Sequence, residues 1–175
     1  MVLLMRLYAH YTAFHSCINS PKQYHPVIMN VTYKEIMREQ YQTYAYFLIT
    51  NFDCDPKDIS DSLGLIPDRV YQKNDLIREN GTARWKHSGW ELRSSLPEST
   101  TCQDMHIENL LNVIYPKKRE LLALSDECEF YINCVGYYYG ANPGFHLSSD
   151  IIKSCADLGV SIDFDLYNND EILKN

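Results

Sequence analysis

The 175-residue sequence predicts an α+β fold: a ferredoxin-like split β-α-β sandwich extended by a C-terminal helix-strand unit, with helices on one face of a mainly antiparallel sheet. Three observations predict it. Short runs that alternate between two side-chain parities recur between segments of helical spacing. Their order is strand, helix, strand, strand, helix, strand, helix, strand. The composition, 45% hydrophobic and 22% charged, is that of a chain able to bury a sizeable core. Residues 41–168 form the expected single domain, preceded by an extension over 1–40 and followed by a tail over 169–175.

The extension differs in character from the domain. Leu3, Leu4, Met5 and Leu7 form an apolar run that Arg6 interrupts. This is too short for a membrane span of about 20 residues. It also lacks the basic start, unbroken apolar stretch and small-residue cleavage site of a signal peptide. Either it is an appendage of the domain, or translation starts at Met29 or Met37. A cytoplasmic protein is expected.

The first strand is Tyr44 to Thr50, with Ala45, Phe47 and Ile49 on one face and Tyr44, Tyr46 and Leu48 on the other. Asp55-Pro56 then opens a helix, because Asp55 can accept from free amides and proline needs no donor at the first helical position. Ile59 and Leu63 give it an apolar stripe, and Gly64 ends it. Arg69 to Gln72 reads as the second strand. The polar stretch Lys73 to Arg84, containing Asn80-Gly81, reads as a loop or hairpin connection. The third strand begins at Trp90. Its entry holds both tryptophans of the chain, Trp85 and Trp90, beside Gly89, and the two rings are expected to clamp the hairpin onto the core.

Ile107, Leu110, Leu111, Ile114, Leu121 and Leu122 keep helical spacing from about Gln103 to Leu124. Pro116 falls inside that run and predicts a kink or two consecutive helices. The fourth strand spans Glu129 to Tyr138, with Phe130, Ile132 and Cys134 on one side and Tyr131, Asn133, Val135 and Tyr137 on the other. After the turn cluster Gly140 to Gly144, a last helix capped by Ser148 or Ser149 stops at Gly159. The final strand runs from Val160 to Tyr167, with Ser161, Asp163, Asp165 and Tyr167 facing away from the core.

Net charge is −7, and its distribution bears on partners. Residues 1–40 carry Arg6, Lys22, Lys34 and Arg38 against Glu35 and Glu39, a net of +2, which leaves −9 for the rest. Such a body is a poor polyanion binder, so no nucleic-acid partner is expected, and neither is a membrane. The six cysteines include no Cys-x-x-Cys pair, so reduced, core-filling thiols are the default and no structural zinc is expected. No phosphate-binding glycine loop, nucleophile elbow or metal-binding histidine pair occurs, and no cofactor is expected.

The residues support two functional readings. Catalysis would centre on His87, between the tryptophans, with Asp75 and Glu91 near in sequence. His106 and His146 lie near helix starts, where local polar contacts are the usual role. Binding would use the sheet face turned away from the helices, to which parity assigns Tyr44, Tyr46, Tyr131, Tyr137, Tyr139, Asp163, Asp165 and Tyr167. Aromatic anchors among carboxylates suit a basic protein partner, or self-association that covers the rings. Binding is the better supported of the two.

A resemblance adds to this reading. The run Asp55-Pro-x-x-Ile-x-x-x-Leu-Gly-Leu65, the pair Trp85-x-x-Ser-Gly-Trp90, the proline-interrupted helix and the terminal Leu158-Gly-Val strand resemble the bacterial domain-of-unknown-function family 4279. The likeness covers residues 44–167. It implies a small cytosolic α+β domain with no agreed activity or catalytic set. Some such domains are similar to immunity proteins encoded beside toxins, which implies a protein partner.

Overall fold

The computed structural model describes residues 42–138 and 144–168. The chain is α+β, with an open five-stranded sheet and its helices packed on one side. Strands are β1 (Gln42–Thr50), β2 (Arg69–Tyr71), β3 (Gly89–Arg93), β4 (Glu129–Tyr138) and β5 (Val160–Asn168). Helices are α1 (Pro56–Leu63), α2 (Gln103–Ile114), α3 (Lys118–Leu124) and α4 (Ser149–Leu158). The strand order is β2-β3-β1-β4-β5, antiparallel throughout except for the parallel β4–β5 pair at one edge. Thus β3 lies between β1 and β2, and β1 lies between β3 and β4.

Local chemistry sets the element boundaries. At the start of α1 the Asp55 carboxylate accepts from the Lys57 amide at 2.9 Å, Pro56 occupies the first turn, and Gly64 closes the helix at φ 63°. At α4 the Ser148 hydroxyl accepts from the Ile151 amide at 3.2 Å, and Gly159 ends the helix at φ 68°. Left-handed φ carries little steric cost in glycine, which explains both stops. Pro116 divides the long helical run as its missing amide requires: a 3₁₀ turn, Tyr115–Lys117, separates α2 from α3.

The core lies between the sheet and the helices. Ala45, Phe47 and Ile49 of β1 are fully buried, beside Phe130, Ile132 and Cys134 of β4 and Trp90 of β3. Above them sit Ile59 and Leu63 of α1, Ile107, Leu110 and Ile114 of α2, Leu121 of α3, and Ile151 and Leu158 of α4. Each of the buried Leu, Ile and Phe side chains contributes about 1.5–3 kcal/mol on burial. Trp90 is anchored twice, by its packed ring and by its indole N–H, which donates to Ser60 Oγ on α1 at 2.9 Å. The expected core face of β5 fades along its length: Val160 is buried, Ile162 half-buried and Phe164 exposed. This strand is the sheet's edge, and beyond its start Phe164 packs on Phe145 with ring centres 5.2 Å apart.

The cysteines depart from the expected set of reduced thiols. Cys102 is disulfide-bonded, whereas Cys54, Cys128, Cys134 and Cys155 are free. The extension over 1–40, Tyr139 and the tail from 169 lie outside the described residues. Among the described residues, no helix is long and apolar enough to cross a membrane.

Candidate functional site

Strand parity gives the helix-free face its chemistry. Because successive residues of a strand point to opposite sides, burying Ala45, Phe47 and Ile49 turns Tyr44, Tyr46 and Leu48 outward. The register then assembles rows across the sheet. From β1 through β4 to β5, the rows are Gln42, Tyr137 and Tyr167; Tyr44, Val135 and Asp165; Tyr46, Asn133 and Asp163; and Leu48, Tyr131 and Ser161. The rings of Tyr137 and Tyr167 stack at 5.1 Å, and those of Tyr44 and Tyr46 at 6.4 Å.

Two basic groups of this face, Arg93 and Arg69, are already engaged. Arg93 lies 4.0 Å from the Tyr44 ring centre and donates to Glu98 at 2.5 Å. Arg69 lies over Tyr71 and Trp85, at 5.3 and 4.9 Å, and is 3.9 Å from Glu91. Burial raises the Glu91 carboxyl above its ordinary range, with Arg69 and the Tyr71 phenol opposing the shift. Burial also pushes the Tyr46 phenol up to about 12, helped by Glu91. Tyr46 therefore stays protonated near neutrality and keeps its donor. By contrast, none of the ion pairs among the described residues uses Glu129, Asp163 or Asp165. Glu129 instead accepts from the Tyr131 hydroxyl at 2.9 Å, a bond that raises the Tyr131 phenol.

The segment between β2 and β3 forms an arm over one end of this face. Its two sides are tied by Trp85 N–H to Asp75 carbonyl at 2.9 Å, Asn74 N–H to Trp85 carbonyl at 2.8 Å, and Ile77 N–H to Ala83 carbonyl at 3.0 Å. A turn closed by Gly81 N–H to Arg78 carbonyl at 2.9 Å caps it. The arm's base is a stack of Trp85 on Tyr71, with centres 3.9 Å apart and planes 19° from parallel. Gly89 makes room for it: a Cβ there would come 2.1 Å from Tyr71 Cζ. Between arm and sheet runs an open groove of about 690 Å³. Leu48, Tyr131 and Asn133 supply sheet-side surface, Trp85, Lys86 and His87 the arm side, and Glu129 and Asp163 its carboxylates.

The sequence-predicted residues therefore divide. Tyr131 and Asp163 line the groove together with Trp85 and His87, two stretches that the sequence treats as separate candidates. Tyr137 and Tyr167 stack at the opposite end of the face, and Asp165 lies between those regions on β5. The tryptophans part company: Trp90 is in the core, whereas Trp85 stacks on Tyr71 on the helix-free side, so only Trp90 clamps β3 to the helices. Sequence reading missed Glu129, Tyr71 and Arg69. Glu129 shares the parity of Tyr131, a signal available in the sequence, whereas the Tyr71–Gly89 pairing depends on register.

A second histidine arrangement is buried. His106 Nε2–H donates to the Thr100 carbonyl at 3.1 Å, and Nδ1 lies 3.0 Å from Ser94 Oγ. Burial lowers the ring's pKa and favours its neutral form, with Nδ1 facing the Ser94 hydroxyl. Ser94 and His106 are 5% and 0% exposed, so a substrate has no route to this pair, which pins the loop after β3 onto α2. Among the described residues, no group of three or more His, Cys, Asp or Glu side chains could hold a metal ion.

Comparison with known proteins gives a family match. The model for the domain of unknown function (DUF4279) matches residues 39–169, more than half of the chain. No curated protein and no solved structure matches.

Proposed function

Since the chain belongs to the DUF4279 family, whose description names no activity, we propose its function from the site itself. It is a non-enzymatic protein-binding module of the immunity type, which neutralises a basic protein partner by covering it with the helix-free sheet face. The observation that carries this reading is the pairing of ringed anchors with uncompensated charge. Tyr131, Tyr137 and Tyr167 lie on one face with Asp163 and Asp165, two exposed carboxylates that enter no ion pair among the described residues. Tyrosines provide contact area at small entropic cost, and carboxylates select and steer a cationic surface. The same carboxylates repel phosphates, which disfavours stacking of RNA on these rings.

The test uses the full chain as bait, beginning with products of adjoining genes, against the variant Tyr137→Ala/Asp165→Ala. The expected result is a basic protein retained by the wild type, released as salt is raised, and lost with the variant while the circular dichroism spectrum is unchanged. Equal capture by both proteins would refute the assignment. So would a shift from dimer to monomer in the variant without any heterologous partner, which would make the face a self-association surface.

A further inference from the structure

We infer that the groove between the arm and the sheet seats a basic side chain, an arginine or lysine, presented by the protein partner. This rests on the binding reading above and assigns it a specific pocket. The groove, at about 690 Å³, falls within the range of about 300–1,000 Å³ common for ligand clefts. Its sheet side carries the negative charge: Glu129 on β4 and Asp163 on β5, which lie close enough to Tyr131 for both to act on its phenol. One oxygen of Glu129 is held by the Tyr131 hydroxyl at 2.9 Å, which fixes the carboxylate beside it. Tyr131 and Trp85 supply aromatic surface for an aliphatic stem or a guanidinium plane.

The cations lining the groove sit on the arm. Arg84 is committed there, donating to the Asn74 carbonyl at 2.6 Å, and Lys86 comes after Trp85 on the same side. An incoming cation is thereby directed to the sheet side, toward Glu129 and Asp163. Arg69, the cation nearest the stack, is held over Tyr71 and Trp85 and beside Glu91, so it supplies no counter-charge to these two carboxylates. A second copy of this chain is a poor occupant, because its own corresponding face would bring Asp163 and Asp165 against the same charges.

The two indoles make the test selective. In ¹⁵N-labelled full chain, the Trp85 indole reports on the groove while the buried Trp90 indole, bonded to Ser60, is an internal control. Titration with N-acetyl-L-arginine amide is expected to move the Trp85 signal saturably and leave Trp90 in place. Glu129→Gln/Asp163→Asn should weaken that binding about tenfold, as loss of two exposed charge pairs allows. N-acetyl-L-glutamate amide should not bind. Absence of saturation with the arginine probe, equal affinity in the variant, or equal binding of the acidic probe would each overturn the proposal. If the probe fails while partner capture still depends on Tyr137 and Asp165, the groove assignment falls and the face assignment stands.

Discussion

Gly89→Ala isolates the contact on which the arm is built. An added Cβ would lie 2.1 Å from Tyr71 Cζ and 2.4 Å from its hydroxyl oxygen, so the phenol ring must leave its place. Leaving costs the Trp85 stack at 3.9 Å, worth about 0.5–1.5 kcal/mol. It also costs the half-exposed Arg69 contact at 5.3 Å, worth about 0.5–1 kcal/mol. Against this, alanine restricts the unfolded chain and returns about 0.4–1 kcal/mol, since Gly89 does not adopt a positive φ. The net loss is about 1 kcal/mol, equivalent to about 2–4 °C in Tm for a chain of this size. Urea unfolding followed by tryptophan fluorescence measures it. The decisive comparison is a double-mutant cycle with Tyr71→Ala: without the ring the clash vanishes, and Gly89→Ala should turn from destabilising to slightly stabilising. A cost of the same sign and size in both backgrounds would refute the reasoning.

The core and its polar contacts set three further outcomes. Trp90→Ala should cost about 3–5 kcal/mol by emptying a fully buried site and removing the indole bond to Ser60 Oγ, read as a fall in the denaturation midpoint without change in its slope. His106 is held neutral by burial, so below its ordinary value of 6.5 the unfolded chain takes up a proton that the native ring resists. Stability should therefore be complete above pH 6.5 and fall as pH drops toward the lower native value, and His106→Gln should flatten this part of the profile in pH-dependent chemical denaturation. Ser148→Ala removes the cap of α4 and should cost about 1 kcal/mol, seen first as faster amide exchange at Ile151.

Local signals carried most of the fold. Asp55 with Pro56, Gly64, Ser148, Gly159 and Pro116 each act within a few residues, and each sits where its backbone chemistry places it. Parity likewise carried the make-up of the helix-free face, because a strand's alternation is fixed once one side is buried. What the sequence could not convey was juxtaposition. Trp85 and Trp90 are five positions apart, yet one ends on each side of the sheet, because β3 begins at Gly89 and the preceding residues turn back over the open face. The groove needs the arm, β1, β4 and β5 at once, and no short-range rule brings Trp85 to Tyr131 and Asp163. His106 was legible only as a polar residue at a helix start; its burial depends on the loop that carries Ser94 and Thr100.

The sheet order also sets a schedule for synthesis. Its middle strand, β1, is the first of the five to emerge, and its pairing with β4 matches Thr50 to Glu129, 79 positions later. At about 5–20 residues per second, a ribosome takes about 4–16 s to deliver that partner. Throughout this interval the run Tyr44-Ala45-Tyr46-Phe47-Leu48-Ile49 has an unpaired edge and no finished helical layer above it. The nascent chain is thus most exposed to aggregation in the strand that becomes its best-protected segment, and a holdase chaperone should engage it there until β4 has been made.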